Sequence, residues 1–348
     1  MNLLSIASAL PENSFTQPEC LTALKSSEFW PDLHRRSHMI LEKVLTGENG
    51  IEKRHFAVDT VTEAMSKDAE QLNLAYEENA PLLAANAIRK AIAKSGHELH
   101  QIDAVFLCSC TGYLCPGVTS YVAEQLGLRE DVFLQDMTGL GCGAAVPLLR
   151  AASGYIAENP DSLIVTVAVE VCSAAFFVED DLGVLISNCI FGDGASAALW
   201  SGAGGAWKVG DFQSLHVPEE REKIRFTNSQ GKLRNQLHKS VPNLVVKTVG
   251  RLFEKRNLDH GVVDQFITHG GGRDVIEGLE KVLPRIPNQQ LTYVREVMRD
   301  CGNMSSPSVL VALELFLEDS IQKQSSSHLW MCAFGAGFSA HSCQLVKV

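Results

Sequence analysis

The sequence lacks several features that would assign it to common classes of protein. No apolar run reaches the length of a membrane span, and the apolar beginning has no basic residues of the kind that open a secretory signal. Positive charge is also scarce, because 30 Lys and Arg stand against 41 Asp and Glu, a formal net charge of -11. We therefore expect neither membrane insertion nor a general nucleic-acid surface, although a local basic patch can still hold an anionic cofactor.

Metal and dinucleotide motifs are missing as well. The cluster Cys108, Cys110 and Cys115 has no paired second half, so it does not predict a zinc site. Gly139-Leu-Gly141 lacks the third glycine spacing and the acidic partner of a dinucleotide fingerprint. The 10 cysteines indicate reduced thiols in a cytoplasm. We expect a cytoplasmic protein with no metal and no permanently bound cofactor.

Strand-like and helix-like segments alternate along the chain. The continuous apolar character of 162–169 predicts a fully buried strand, and the apolar period across 78–96 predicts an amphipathic helix. The same plan follows the glycine-rich stretch 201–205. The pattern predicts an α/β fold of mostly parallel strands in two parts, 1–204 and 205–348.

The segment 134–150 is the most informative part of the chain. An apolar strand turns through Gly139, Gly141 and Gly143 into a helical pattern, and Cys142 lies in the turn. The helix N-terminus places main-chain N–H groups and partial positive charge beside the sulfur, which favours the nucleophilic thiolate. Packing remains the alternative role, because free cysteines are often small core residues.

Two other polar residues occupy similar places at the ends of predicted elements. His269 follows the strand-like 265–268 and precedes three glycines, and Asn303 comes just before a helical run. Together with Cys142 they form a Cys/His/Asn candidate for nucleophilic catalysis. A buried structural role for His269 and a helix N-cap role for Asn303 stay open.

Five motifs in this order make the chain resemble the type III polyketide synthases, the chalcone and stilbene synthase family of the thiolase superfamily. They are Gly141-Cys142, Phe191-Gly-Asp-Gly194, His269-Gly-Gly-Gly272, Gly302-Asn-Met-Ser-Ser306 and Phe334-Gly-Ala-Gly337. Gly270 and Ala336 replace prolines of the family pattern. The resemblance covers nearly the whole chain and implies a thiolase-like α/β fold, five layers in the order αβαβα, made of two similar halves.

The resemblance also implies an activity and the residues that perform it. An acyl group passes from coenzyme A to Cys142, and malonyl-CoA then loses carbon dioxide and extends this group in repeated condensations. The half at 1–204 carries the nucleophile, and the half at 205–348 carries His269 and Asn303, which hold the developing enolate oxygen as two neutral donors. Coenzyme A thioesters are the substrates, and a homodimer is implied.

The same match implies which residues line the substrate cavity. Phe191 is the gatekeeper between the coenzyme A tunnel and the cavity. The other implied substrate-binding positions are Cys110, Cys172, Ala175, Ser187, Ser305, Gly335 and Gly337. Cys172 and Ala175 replace threonines of plant enzymes, which predicts room for a long acyl starter and alkylpyrone or alkylresorcinol products. Small starters stay open, because other side chains can refill the space.

Two features depart from the family. The second gatekeeper phenylalanine is missing, and Asn235 stands near its position. The family's three basic residues for coenzyme A do not align either. Lys53 and Arg54 are the candidates for its phosphates, and further cations in the same region are Arg35, Arg36 and Lys43. A charge run of this kind is usually a solvated face.

Two alternative functions remain at this stage. A ketoacyl-ACP synthase of the initiating type shares the fold and the Cys/His/Asn residues but makes one condensation on an acyl carrier protein. A non-catalytic, acyl-binding subunit of the same fold is the second alternative. The presence of Cys142, His269 and Asn303 argues against the subunit, and His269-Gly-Gly-Gly-Arg273 argues against the ketoacyl synthase.

Overall fold

A computed structural model describes residues 1–47, 49–255, 263–284 and 291–348. Its strands are β1 (Asn2–Ala9), β2 (Ser14–Thr16), β3 (Lys53–His55), β4 (Ala104–Cys108), β5 (Phe133–Met137), β6 (Ile164–Glu170), β7 (Gly194–Ser201), β8 (Trp207–His216), β9 (Ile224–Ser229), β10 (Lys232–Leu237), β11 (Gln265–Thr268), β12 (His328–Gly335) and β13 (Ser339–Lys347). Its helices are α1 (Gln17–Lys25), α2 (Arg35–Thr46), α3 (Val61–Ser66), α4 (Ala69–Ser95), α5 (Val118–Leu126), α6 (Ala145–Glu158), α7 (Leu182–Ile190), α8 (Val241–Glu254), α9 (Arg273–Val282), α10 (Thr292–Cys301), α11 (Ser308–Glu318) and α12 (Ser320–Ser325).

Nine strands form one sheet in the order β11-β12-β13-β8-β1-β7-β6-β4-β5. The pairs β11–β12, β6–β4 and β4–β5 are parallel, and the other neighbouring pairs are antiparallel. The expectation of mostly parallel strands was therefore wrong. One reason is visible between β12 and β13, which are joined by the short turn 336–338 that only antiparallel neighbours can use.

The strand arrangement occurs twice. In the first half β4, β6, β7 and β1 follow one another with one parallel pair and then two antiparallel pairs. In the second half β11, β12, β13 and β8 repeat this arrangement. The two sets meet at β1 and β8. The repeat agrees with two similar halves, while the boundary at residue 204 stays a prediction.

The helices complete five layers. α6 contacts β4 and β6 on one side and β8, β12 and β13 on the other, and α11 likewise contacts β1 and β7 as well as β11 and β12. α4 covers the outer face of β1, β6 and β7, and α8 packs on β8, β12 and β13. The central layer therefore consists of α6 and α11, and the predicted αβαβα order is confirmed.

Helix α4 is longer than its apolar pattern predicts, because polar residues form a cap before that pattern begins. The predicted helix at 78–96 is present but begins at Ala69. Asp68 accepts a hydrogen bond from the main chain of Gln71, and the Gln71 side chain accepts one from the main chain of Asp68. This capping box satisfies two donors that a helix start otherwise leaves unpaired. Each helix among the described residues is too short or too polar to span a lipid bilayer.

The polar stretch 214–240 contains an element that the apolar pattern does not predict. β9 and β10 pair antiparallel from Ile224 to Leu237 and form a sheet separate from the nine strands. Gln230 and Gly231 at its tip both have positive φ, 50° and 78°, as a two-residue hairpin turn requires. We call 224–237 the cavity hairpin, because residues of both its strands line the cavity described below.

Candidate active site

The nucleophile turn is built as the sequence predicts. β5 ends at Met137, a 3₁₀ turn covers Gly141–Gly143, and α6 begins at Ala145. Gly335 of β12 presses against this turn, because a Cβ there would lie 2.9 Å from the Cys142 nitrogen. The second half of the chain thus fixes the main chain of the nucleophile.

The Cys142 side chain is only 9% exposed, and its Sγ accepts a hydrogen bond from the Ser305 hydroxyl at 3.1 Å. Burial raises the pKa of the Cys142 thiol to about 12. The Ser305 hydroxyl lowers this pKa, and the Glu170 carboxylate raises it. The resting residue is therefore a neutral thiol, and the thiolate expected from the helix N-terminus is outweighed by desolvation.

Glu170 is a site residue that the sequence interpretation missed. It ends the apolar strand β6 and is fully buried. Its carboxylate accepts hydrogen bonds from the main chain of Cys110 at 2.9 Å, from the main chain of Thr111 at 3.1 Å and from the Ser306 hydroxyl at 2.7 Å. Such donors compensate the burial of a carboxylate. A lone acidic residue at the end of an apolar strand was the available signal.

Ser305 joins this carboxylate to the nucleophile. Its hydroxyl lies 3.2 Å from Glu170 Oε1 and 3.1 Å from Cys142 Sγ, so its one proton can be donated to either. The main chain of Ser305 is left-handed, with φ +59°, which costs a serine about 1 kcal/mol. Strain of this kind is found where the surrounding structure fixes a functional side chain.

Asn303 lies between α10 and α11 with its amide orientation set by the main chain. Oδ1 accepts from the Ser305 N–H at 2.8 Å, and Nδ2 donates to the Gly271 carbonyl at 3.3 Å. Nδ2 carries two N–H groups, so it has a second donor besides the one that Gly271 receives. α11 begins at Ser308 after an N-cap at Pro307, which excludes the N-cap role for Asn303.

His269 follows β11, and its main-chain N–H donates to the Cys332 carbonyl at 2.8 Å. Its ring is buried and packs edge-on against Phe334, with ring centroids 5.1 Å apart. Nδ1 has no hydrogen-bond partner among the described residues. Burial lowers the pKa of His269 to about 4. At neutral pH the imidazole is therefore uncharged, which suits a neutral hydrogen-bond donor.

Two of the three predicted catalytic residues, Cys142 and Asn303, are linked through Ser305, and the network ends near the third, His269. Cys142 bonds to Ser305, Ser305 bonds to Asn303, and Asn303 bonds to Gly271, two residues after His269. Among the described residues no hydrogen bond joins His269 to Cys142 directly. Residues from both halves of the chain thus meet around one sulfur atom.

Sequence models of a known family match both parts of the chain. The model described as chalcone and stilbene synthases, N-terminal domain, matches residues 3–204. The model of the C-terminal domain of the same enzymes matches residues 212–346. The chain belongs to the chalcone and stilbene synthase family.

Similar proteins agree with this assignment. A 1,3,6,8-tetrahydroxynaphthalene synthase of Streptomyces griseus is 28% identical over 340 residues, 96% of this chain and 89% of that protein. A putative chalcone synthase of Bacillus subtilis (strain 168) is 25% identical and covers 97% of this chain and 96% of its own length.

Solved structures show the same fold. The 1,3,6,8-tetrahydroxynaphthalene synthase of Streptomyces coelicolor A3(2) superposes with a TM-score of 0.86 at 23% identity, covering 100% of this chain and 99% of that one. PKS-I of the brown alga Ectocarpus siliculosus gives a TM-score of 0.89 at 23% identity, with 99% and 98% covered.

The chain is thus a type III polyketide synthase, an acyltransferase that condenses malonyl-CoA iteratively with loss of carbon dioxide. It uses coenzyme A thioesters as substrates and needs no resident cofactor for this chemistry. Membership decides against both alternatives considered from the sequence, the initiating ketoacyl-ACP synthase and the non-catalytic subunit.

A cavity opens beside the nucleophile of this polyketide synthase. Cys142 lines it together with six of the residues expected from the resemblance, namely Cys110, Cys172, Ala175, Ser187, Phe191 and Ser305. Ala336 also lines the cavity, whereas Gly335 and Gly337 are not among its described lining residues. Gly335 lies behind the nucleophile turn, so its function there is close packing of main chains.

The expectation that Arg54 binds coenzyme A phosphates was wrong. Its side chain is fully buried, and the guanidinium donates to the carbonyls of Asn188 at 2.7 Å and Phe191 at 2.8 Å and to the Gln17 side chain at 3.0 Å. Arg54 therefore positions the Phe191 segment from the interior. Lys53 is half-buried on β3 and stays a prediction for the phosphates.

Proposed function

We propose that the polyketide synthase loads an apolar acyl group from coenzyme A onto Cys142 and extends it within the cavity beside the sulfur. The observation that carries this proposal is the lining of that cavity. Beside the Cys142 thiol it collects mainly apolar groups, among them Phe176, Phe177, Val184 and Phe191. Such a surface accepts a hydrocarbon chain and excludes water from the reacting thioester.

The first step is acyl transfer. The Cys142 sulfur attacks the thioester carbonyl while its proton passes to the unprotonated nitrogen of His269. The bond from carbon to the coenzyme A sulfur then breaks, and the departing sulfur takes the proton from His269. Burial disfavours both the thiolate and the imidazolium, so proton transfer accompanies attack and no ion pair waits in the resting site.

The second step is decarboxylation and condensation. The malonyl carboxylate leaves as carbon dioxide, and the electron pair of its bond forms an enolate. The enolate oxygen accepts hydrogen bonds from His269 and from Nδ2 of Asn303. The enolate carbon attacks the acyl group on Cys142, the carbon–sulfur bond breaks, and the sulfur leaves as a thiolate that takes one proton from solvent. Neutral donors suit this step, because a cation would also hold the malonyl carboxylate before reaction.

The starter is proposed to be a long-chain acyl-CoA, with alkylpyrones or alkylresorcinols as products. Ala175 and Cys172 are small residues on the wall beside the nucleophile, and the rest of that wall is largely apolar. Incubation with malonyl-CoA and acyl-CoA starters of increasing length, followed by product mass spectrometry, tests this. Polyketides from acetyl-CoA alone, with none from fatty acyl-CoA, would overturn the long-chain starter and leave the loading proposal standing.

Replacement of Ala175 by phenylalanine is expected to lower activity with long starters about tenfold or more and to spare acetyl-CoA. The added ring fills cavity space that a long chain occupies, and one or two methylenes are worth about 1–3 kcal/mol in such a pocket. The measurement is kcat/KM for acetyl-CoA and for a fatty acyl-CoA. Equal losses on both starters would show that the wall at Ala175 does not select chain length.

A homodimer is proposed as the working form. β5 is one of the two edge strands of the nine-stranded sheet, and Phe133 on it is 42% exposed. An apolar, unpaired edge of this kind is suited to pairing with another copy. By family resemblance Cys115, which is exposed here, reaches the neighbouring cavity wall.

Light scattering after exclusion chromatography is expected to give about twice the chain mass of 37.9 kDa. Phe133→Lys should shift the protein toward the monomer, because a charge on an edge strand opposes pairing. A stable wild-type monomer would contradict the dimer, and a Phe133→Lys dimer would place the interface elsewhere.

A further inference from the structure

The turn 336–338, which joins β12 to β13, lies directly against the nucleophile. A Cβ on Gly335, just before the turn, would lie 2.9 Å from the Cys142 nitrogen. A Cβ on Gly141 would lie 3.3 Å from the Ala336 Cβ. Both contacts are tight, so a shift of the turn has to move the main chain of the nucleophile as well. The position of the turn therefore determines the position of the Cys142 main chain.

The main-chain N–H of Cys142 is the group that this contact positions. Burial raises the pKa of the Cys142 thiol, whereas the Ser305 hydroxyl and the Cys142 main-chain N–H lower it, so this N–H is directed toward the sulfur. A thioester carbonyl that the sulfur attacks has its oxygen near the same N–H. Because that oxygen gains negative charge as the new carbon–sulfur bond forms, a main-chain donor at this place stabilises the transition state.

Three polar side chains hold the turn from behind, and we call Ser214, His341 and Ser339 the turn relay. The Ser339 hydroxyl donates to the Ala336 carbonyl at 2.9 Å, and His341 Nε2 lies 3.0 Å from the Ser339 oxygen. On the other side of the ring, Nδ1 lies 2.9 Å from the Ser214 oxygen. Ser339 is 1% exposed and His341 is 3% exposed. The relay is therefore shielded from water where it meets the turn.

The protons of the turn relay have one consistent arrangement. A carbonyl oxygen only accepts, so the single hydroxyl proton of Ser339 goes to the carbonyl of the turn. His341 Nε2 then carries a proton and donates it to the Ser339 oxygen. Burial, with smaller effects of the nearby His216 and Arg150, lowers the pKa of His341 to about 4. At neutral pH the ring is therefore uncharged, and Nδ1 accepts from the Ser214 hydroxyl.

We propose that His341 is a positioning residue for acyl transfer, which holds the turn 336–338 through Ser339 and so keeps the Cys142 N–H aligned with the reacting thioester. His341 is not among the described residues that line the cavity, so it acts through the turn and not by contact with substrate. This inference rests on the proposed loading of Cys142. It goes beyond that proposal, because it names a residue outside the five sequence motifs.

The first test is the rate of Cys142 loading in His341→Ala. The Ser339 hydroxyl loses its donor, and a small displacement of reacting groups slows a reaction strongly, so loading should fall about tenfold to a hundredfold. Decarboxylation of malonyl-CoA should change by less than about twofold, because the Asn303–Gly271 contact is not part of the relay. Intact-protein mass against time measures loading, and carbon dioxide release measures decarboxylation.

Two further histidine variants control this experiment. His328→Ala also removes a buried histidine from the same sheet, but His328 begins β12, at the opposite end of that strand from the turn. Its loading rate should equal that of the wild type. His341→Gln is the conservative replacement, because the glutamine amide can donate to Ser339 in place of Nε2. It should restore most of the loading rate that His341→Ala loses.

Ser339→Ala breaks the turn relay one step closer to the turn. Since His341 and Ser339 act through the same carbonyl, the double alanine variant should load no more slowly than the slower single variant. Losses that multiply would contradict a shared route and overturn the relay. Thermal unfolding of each variant reports folding, and Ser339→Ala takes the place of His341→Ala if that protein does not fold.

The outcomes separate this inference from the proposed function. A wild-type enzyme that forms no covalent acyl intermediate on Cys142 overturns the proposed function. A wild-type enzyme that loads normally, with unchanged loading in folded His341→Ala or Ser339→Ala, overturns the positioning role alone. Equal losses of loading and decarboxylation overturn it too, because His341 then only supports the fold.

Discussion

Replacement of Cys142 by alanine is expected to abolish polyketide formation while malonyl-CoA continues to lose carbon dioxide. The variant has no sulfur to carry the acyl chain, so product formation should fall on the order of 10⁴-fold or more. His269 and the Asn303–Gly271 contact do not depend on the sulfur, so the donors for the enolate remain. Product mass spectrometry and acetyl-CoA release from malonyl-CoA measure the two activities separately.

Cys343→Ala is the matched control for this experiment. Cys343 is also a buried free thiol, but it lies on β13 and does not line the cavity in the described structure. It should form normal product. Normal product from Cys142→Ala would contradict the nucleophile assignment, and loss of decarboxylation together with product would show that the sulfur also supports the enolate donors.

Asn303→Ala is expected to slow malonyl-CoA decarboxylation by about 10²–10³-fold and to leave loading of Cys142 nearly unchanged. The amide is the donor that meets negative charge only during decarboxylation, and loss of one such donor typically has this cost. Carbon dioxide release measures decarboxylation. The intact-protein mass after exposure to starter acyl-CoA measures loading of Cys142.

The comparison of the two steps within one variant is the internal control. Asn303 also accepts the main-chain N–H of Ser305, whose hydroxyl touches the nucleophile, so a purely structural role predicts a different result. If loading and decarboxylation fall equally in Asn303→Ala, Asn303 acts by positioning Ser305 and not as an enolate donor.

Local patterns were sufficient to predict the nucleophile turn. Three glycines around Cys142 and an apolar strand before it determine a sharp turn into a helix, and the structure has this turn. The cavity-wall residues were found from motif positions, and Cys110, Cys172, Ala175 and Ser187 indeed line one cavity. Sequence reasoning succeeded where a few neighbouring residues decide the outcome.

The protonation state of Cys142 depends on contacts that cannot be predicted from the sequence alone. Glu170 and Ser305 are 135 positions apart, yet they meet beside Cys142. The helix N-terminus favours a thiolate, but its effect is smaller than the cost of taking a thiolate out of water. Arg54 shows the same limit, since a basic residue in a polar segment proved to be buried among main-chain carbonyls.

Local sequence patterns also could not predict the pairing of the strands or the β9–β10 hairpin. The stretch that contains β9 and β10 has few apolar residues, so its apolar pattern does not indicate a pair of strands. Its turn, Gln230-Gly231, is not one of the strong hairpin signals. The antiparallel direction of β7 relative to β6 depends on long-range pairing, which apolar periodicity does not encode.

The central position of α6 and α11 has a consequence for how the enzyme can change over time. Both helices are enclosed between the two halves of the nine-stranded sheet, so their amide protons should exchange with solvent only when the whole protein opens. The cavity hairpin is a separate two-stranded ribbon, and its amides should exchange through small local openings. Substitutions in the hairpin therefore cost little global stability. New product specificities can therefore evolve through substitutions in the hairpin, while the catalytic residues keep their positions.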